Sequence, residues 1–136
     1  MKKDKKTKQF GTVNYGVGDF LIQIKNAAMA KNKSIVVPMS KQTFAIAECL
    51  KKLGYLAEVK KDGEFVNIAL AFMHKRPAII NLRLVSKPGL RIYLGIDEIS
   101  KKRGPSQFLI STPLGILSSK QAIKQRVGGE VIAEIW

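Results

Sequence analysis

The sequence is poor in the residues that carry covalent and metal chemistry. It holds one cysteine, Cys49, so no disulfide can close within the chain. That thiol falls at an apolar helix position and reads as a packed side chain of a reducing compartment. It holds one histidine, His74, in a polar segment ending at Pro77. Neither zinc-ligand spacing nor a Cys/His nucleophile pair exists. Asp and Glu together number 10 in 136 residues. They are scattered and form no evident metal-binding or acid/base pair. There is no G-x-x-x-x-G-K-[ST] phosphate loop, and Ser111 lacks the G-x-S-x-G elbow. Gly16-Val17-Gly18 is too weak a signal for nucleotide binding and is better explained as a helix start. These absences point away from an enzyme and leave no catalytic residue, metal or cofactor to assign.

Apolar runs are short as well. None approaches the ~20 residues that a membrane-spanning helix needs. The N-terminus has no apolar h-region, so a secretory signal is not expected. Its charge is all Lys with no Arg, unlike a transit peptide.

What the chain has is positive charge. Lys and Arg total 24, the formal net charge is +14 and the pI is about 10.1. An excess spread over the whole chain points to polyanions, nucleic acid first and an acidic membrane surface second. The 46% hydrophobic content is enough for a core, so the protein is not a disordered basic tail.

Residues 1–14 read as a disordered Lys-rich arm. Residues 15–75 read as an N-terminal lobe. Val17, Phe20, Leu21, Ile24 and Ala28 recur at helical spacing, predicting a helix from Val17 to about Lys31. Ser34–Pro38 is a β-branched run ended by proline. Ser40 is a helix N-cap, and the helix it opens runs to about Leu53. Its stripe is Ile46, Cys49, Leu50 and Leu53, with Gly54 at the C-terminal stop. Tyr55–Lys61 and Glu64–Phe72 flank Asp62-Gly63 as a hairpin, with Ala57 and Val59 expected on the buried face. The order α-β-α-β-β predicts two helices on one face of a three-stranded sheet.

Residues 76–136 read as a mainly β lobe with one short helix, giving an α+β chain of two small lobes. Ala78–Val85 is expected as a strand. Ser86-Lys87-Pro88-Gly89 is a turn and Leu90–Gly95 the return strand. Asp97–Gly104 reads as irregular and Phe108–Ser111 as a strand. Ser118 and Gln121 fit a capping box opening a helix from Ser119 to about Arg126. Gly128-Gly129 turns the chain into a final strand, Glu130–Trp136.

The stretch from Ser111 carries the most distinctive chemistry. The minor groove of A-form RNA is wide and shallow and displays 2′-hydroxyls and base edges. Short hydroxyls both donate and accept there. Glycine permits close backbone approach, and a carboxylate accepts from a 2′-hydroxyl or an exocyclic amine. Ser111, Thr112, Gly115, Gly128, Gly129 and Glu130 have these properties. The plainer reading is that the hydroxyls satisfy a turn and the glycines meet backbone geometry. From residue types alone the two readings weigh the same. A second cluster is Lys87, Arg91 and Tyr93, with an aromatic face for an unpaired base and cations for phosphate. Tyr93 packing on the stem of Arg91 explains it equally. Lys25, Asn26 and Lys41 form a third patch, each also readable as a solvated helix residue.

The motifs resemble a known family, small-subunit ribosomal protein eight in its bacterial form, from about Tyr15 to Trp136. The blocks are Ser-Thr-x-x-Gly-Ile-Leu at 111–117, Gly-Gly-Glu-Val-Ile-Ala at 128–133 with Trp136, and Ser-Lys-Pro-Gly-Leu-Arg-Ile-Tyr at 86–93. Gly18–Leu21 with Ile24–Ala27, and Val37-Pro38 with Ser40-Lys41, resemble the N-terminal blocks. The resemblance implies a primary binder of a stem in the central domain of small-subunit ribosomal RNA that helps assemble the platform. It implies contacts at Ser111, Thr112, Gly128–Glu130 and Tyr93, with further ones around Lys25, Asn26 and Lys41. It implies ribosomal proteins five and twelve as neighbours and a cytoplasmic ribosomal location, with an organellar ribosome left open. Some members also bind their own messenger RNA. The chain departs from the pattern at Pro113, where the family usually has a third small hydroxyl. Proline offers neither a hydroxyl nor an N–H. Gly104–Phe108 replaces a Gly-Leu-Gly-Ile-Ala-type approach to the serine motif, and Tyr15-Gly16 replaces an Asp-Pro. Two rivals remain from the residues alone: a nonspecific RNA- or DNA-binding module, and a small hydrolase or nuclease using Ser111 or Glu130.

Overall fold

The structure, a computed structural model, describes residues 16–101 and 104–136. The expected basic arm, 1–14, lies outside the described residues, as does Tyr15. The first element is α1 (Gly16–Met29), which buries Phe20, Leu21, Ile24 and Ala28 as the stripe predicts. Ile22 and Met29 lie off the stripe and are exposed. Next comes β1 (Ser34–Pro38). Ser40 then caps α2 (Lys41–Lys52): its side chain accepts from the Thr43 N–H, and Ile46, Cys49 and Leu50 are buried.

The hairpin is β2 (Leu56–Asp62) and β3 (Phe65–Leu70). Asp62 pairs with Phe65, so the two-residue turn is Gly63-Glu64, not Asp62-Gly63. Gly63 has φ +63°, and a left-handed glycine in the first turn position suits the right-handed twist of a hairpin. Ala57 is exposed, contrary to the alternation. The register shifts between Leu56 and Glu58, and that bulge turns Ala57 outward. The sheet order is β1-β3-β2.

The polar segment Met73–Pro77 is not a bare linker. It forms a small hairpin, β4 (Phe72–Met73) and β5 (Arg76–Pro77). The turn residues His74 and Lys75 have φ of 53° and 67°. Two positive φ values in a two-residue turn normally select Asn or Gly. Side chains there cost about 1–3 kcal/mol each.

The C-terminal lobe holds β6 (Leu82–Leu84), β7 (Tyr93–Leu94), α3 (Ile96–Ser100), β8 (Gln107–Thr112), β9 (Gly115–Ser118), α4 (Ser119–Gln125) and β10 (Gly129–Ile135). Three expectations are corrected here. Only Leu82–Leu84 of the Ala78–Val85 segment is strand, because Ile80 and Asn81 donate their N–H groups to the Trp136 carbonyl instead of to a partner strand. The return strand shrinks to Tyr93–Leu94, since Leu90 closes the turn by pairing with Lys87. Asp97–Gly104 is not irregular throughout: Ile96–Ser100 is helical, and the Glu98 side chain accepts from the Gly95 N–H at its start. The capping box is present, with Ser118 accepting from the Gln121 N–H and Gln121 from the Ser118 N–H.

Strand β10 is central. It pairs with β8 on one side and with β6 and β7 on the other. One apolar cluster runs through both lobes. It joins Leu21 and Ile24 of α1, Ile46 and Leu50 of α2 and Ile68 of β3 to Leu82, Leu109, Ala133 and Ile135 of the second sheet. A smaller cluster of Ile99, Ile110, Ala122 and Val131 seats α3 and α4.

Candidate nucleic-acid interface

The second sheet lines up the sequence-predicted residues across its strands. Glu130 on β10 lies opposite Tyr93 on β7 and opposite Ser111 on β8. Ser111 lies opposite Ile116 on β9. Directly opposed residues project from the same face. The row therefore runs Tyr93, Glu130, Ser111, Ile116. Its outer end is open, with Tyr93 66% exposed. Its inner end enters a groove of about 190 Å³ beneath the N-terminal lobe. The groove is walled by Arg91, Ser111, Glu130 and Ile132 on one side and by Gly16, Val17, Gln42 and Ile46 on the other. The starts of α1 and α2 thus border it, and their unpaired N–H groups favour negative charge nearby.

Electrostatics within the row are local. Arg91 Nη1 lies 3.1 Å from Glu130 Oε2, with the guanidinium more exposed than the carboxylate. Arg91 therefore holds Glu130 in place from the more exposed side of the pair. Ser86 is the anchor that sequence reasoning passed over as a turn residue. It is fully buried. Its hydroxyl accepts from the Ile92 N–H at 2.9 Å and donates to the Val131 carbonyl at 2.7 Å. It thereby clamps the segment carrying Lys87, Arg91 and Tyr93 onto β10, one residue from Glu130. Lys87 is exposed in the turn, where Gly89 has φ +84°.

The two glycines have a structural explanation. A Cβ on Gly129 would sit 2.1 Å from the Ser111 carbonyl oxygen, and one on Gly128 2.4 Å from the Leu94 carbonyl oxygen. Both contacts are with backbone, so the strands could not pass this close with side chains there. Thr112 also has a local task. Its hydroxyl donates to the Gly115 carbonyl at 2.8 Å and accepts from the Leu114 N–H at 3.1 Å. Those bonds close the Pro113-Leu114 turn, and Gly115 takes φ +118° to leave it. Pro113 occupies the first turn position, where its fixed φ fits. The Ser111 hydroxyl has no such engagement among the described residues, and Ser111 lines the groove.

The third patch is dispersed. Lys41 begins α2 beside Gln42 of the groove wall. Lys25 and Asn26 lie in the second half of α1, where Lys25 is half-buried and Asn26 exposed. Neither lines the groove.

The family model for ribosomal protein S8 matches residues 16–136. The chain belongs to the ribosomal protein S8 family. Its relatives include the small ribosomal subunit protein uS8 of Chloroflexus aggregans, 42% identical over 92% of this chain and 99% of that protein. The uS8 proteins of Nitratidesulfovibrio vulgaris strain Miyazaki F and of Spiroplasma kunkelii are each 39% identical over 88% of this chain and 96% of theirs. As an S8 protein the chain is a structural, non-enzymatic constituent of the small ribosomal subunit. Its partners are ribosomal RNA and other ribosomal proteins. No described helix is long and apolar enough to cross a membrane.

Proposed function

We propose that the chain is a primary binder of a central-domain stem of small-subunit ribosomal RNA and helps assemble the platform. Ribosomal proteins five and twelve are its expected neighbours. The reading rests above all on the row Tyr93–Glu130–Ser111 entering the groove beside Arg91. The row presents an aromatic face, a carboxylate acceptor and a free hydroxyl in sequence. That order suits a splayed base, a ribose hydroxyl and the base edge beyond it. Lys87 and the partly exposed guanidinium of Arg91 would meet phosphate. Residues 15–75 would act as one jaw and 76–136 as the other, with Lys25, Asn26 and Lys41 on the first. Thr112, Gly115, Gly128 and Gly129 would contribute backbone contacts and shape.

A titration of the purified protein with the stem, an unrelated RNA duplex and a DNA duplex tests this. The stem should bind most tightly, and with about 6 phosphate contacts its affinity should fall roughly a thousandfold between 50 and 200 mM salt. Ser111→Ala and Glu130→Ala should weaken stem binding and leave the unfolding midpoint in place. Equal affinity for the stem and for duplex DNA, which has no 2′-hydroxyls, would replace the proposal with a nonspecific binding module.

A further inference from the structure

The groove between the lobes has a floor and a rim of opposite chemistry. Its floor is apolar: Ile46 of α2 and Ile132 of β10 are buried, and Val17 of α1 and Ile116 of β9 are half-buried beside them. Its rim is polar, with Arg91, Ser111 and Glu130 along the second sheet and Gln42 facing them from α2. A flat group with an apolar face and polar edges suits such a site. A phosphate does not, because it would lie on aliphatic side chains beside the Glu130 carboxylate. At about 190 Å³ the groove is on the scale of a single nucleobase.

Gln42 is the rim residue that sequence reasoning did not single out. It is the second residue of α2 and comes four before Ile46, so the two share one face of the helix. That face is the groove wall. Gln42 is exposed, and its amide makes no hydrogen bond among the described residues. The plainer reading is a solvated first-turn residue. The helix start has no need of it, however, because Ser40 already accepts from the Thr43 N–H. An amide also differs from the rest of the rim. It carries donors and an acceptor on one planar end, the pattern that pairs at two points with adenine, through the exocyclic amine and an adjacent ring nitrogen. Glu130 only accepts and Arg91 only donates, while Ser111 has a single hydroxyl. None of those three makes that two-point pairing.

We propose that the groove holds one unpaired base of the stem, an adenine, with its face on Ile46 and Ile132 and its amine edge paired to the Gln42 amide. Gln42 is then the specificity-determining residue that the N-terminal lobe supplies. Glu130 takes the ribose hydroxyl of that nucleotide, and Ser111 takes the opposite edge of the base. The inference rests on the stem reading above and goes further, by naming the base that is read and the side chain that reads it.

The test titrates the full chain with a set of stems in which each unpaired nucleotide in turn is A, G, C or U. At one position the protein should bind the adenine stem roughly ten- to a hundredfold more tightly than the other three. Gln42→Leu should shrink that preference to within about threefold at that position alone, with the unfolding midpoint in place. Replacing the preferred adenine by purine, which lacks the exocyclic amine, should cost the parent about tenfold and Gln42→Leu nothing, so the two losses do not add. An equal loss for every stem on Gln42→Leu, an unchanged preference, additive losses or no position that prefers adenine would overturn the proposal. Ser111→Ala and Glu130→Ala tell the two failures apart. If they weaken stem binding while the Gln42 effect is missing, only the base assignment falls; if they leave binding intact, the stem reading falls with it.

Discussion

Replacing Gly129 with alanine separates the two explanations of the glycine pair. The added Cβ would lie 2.1 Å from the Ser111 carbonyl oxygen and 2.9 Å from its carbon. Ordinary contact needs more than an ångström of extra room, and no flexible side chain is there to yield. Strands β10 and β8 must part at the point where Glu130 faces Ser111. Overpacking of a tight site costs about 1–3 kcal/mol, and each ladder hydrogen bond stretched beyond reach costs about 1 kcal/mol more. The expected loss is therefore about 2–5 kcal/mol, a large part of the 5–15 kcal/mol that typically holds a domain together. Urea unfolding followed by circular dichroism reads it directly. With a slope of about 2 kcal/mol per molar, the midpoint should fall by roughly 1–2.5 M. Gly16→Ala is the matched control, because nothing lies within 4 Å of its Cβ position and α1 begins there. It should be neutral or slightly stabilising. If Gly129→Ala unfolds at the parental midpoint, the close approach of the two strands is wrong. The glycine would then need a ligand to explain it.

Other outcomes follow from the same geometry. Ser86→Ala should cost about 1–3 kcal/mol, because it takes away the partner of the part-buried Ile92 N–H and a buried bond to the Val131 carbonyl, and it should lower stem affinity by loosening the Arg91 segment; a variant stable but unchanged in binding would sink the anchoring role. Arg91→Ala breaks an exposed ion pair and should cost no more than about 1 kcal/mol of stability, while stem binding and its salt slope both fall in titrations. Burial pushes the Cys49 thiol up to about 11, with Lys52 pulling weakly the other way. The folded state thus keeps the thiol neutral below the unfolded value near 9.0 and loses that advantage as pH rises towards 11. Burial raises Tyr55 as well. Iodoacetamide at pH 8.5 should accordingly label Cys49 far more slowly in the folded protein than in urea, and equal rates would refute its burial.

The N-terminal lobe was legible because its signals are local. The α1 stripe, the Ser40 cap and the glycine at 63 each fix geometry within a few residues; the Ala57 bulge, the one-residue shift of the turn to Gly63-Glu64 and the β4–β5 hairpin are not legible, since each is set by strand pairing. The second lobe was less legible. Strand β9 is hidden because Gly115–Ser118 is short and sits between a turn and a helix, and Ala78–Asn81 is not strand because the Ala78 N–H goes to the Ala71 carbonyl and those of Ile80 and Asn81 go to the distant Trp136 carbonyl. The site residues Ser111, Tyr93 and Glu130 were visible as types and as family blocks. Their alignment in one row was not, because it follows from pairings between strands far apart in the sequence. Ser86 looked like any turn serine, and its burial depends wholly on β10 passing beneath it. From residue types alone, close packing and RNA contact explain Gly128 and Gly129 equally; the strand spacing supplies the packing requirement.

The apolar cluster that crosses from the helices to the second sheet leaves no slack at the waist of the molecule. Leu21, Ile46, Leu109 and Ile135 belong to a single fully buried set, and prising the halves apart would expose all of it. The cleft above that set therefore behaves as a calliper locked at one opening. Any ligand entering it must arrive with the right contour or be reshaped on arrival, and discrimination between ligands falls on their own stiffness.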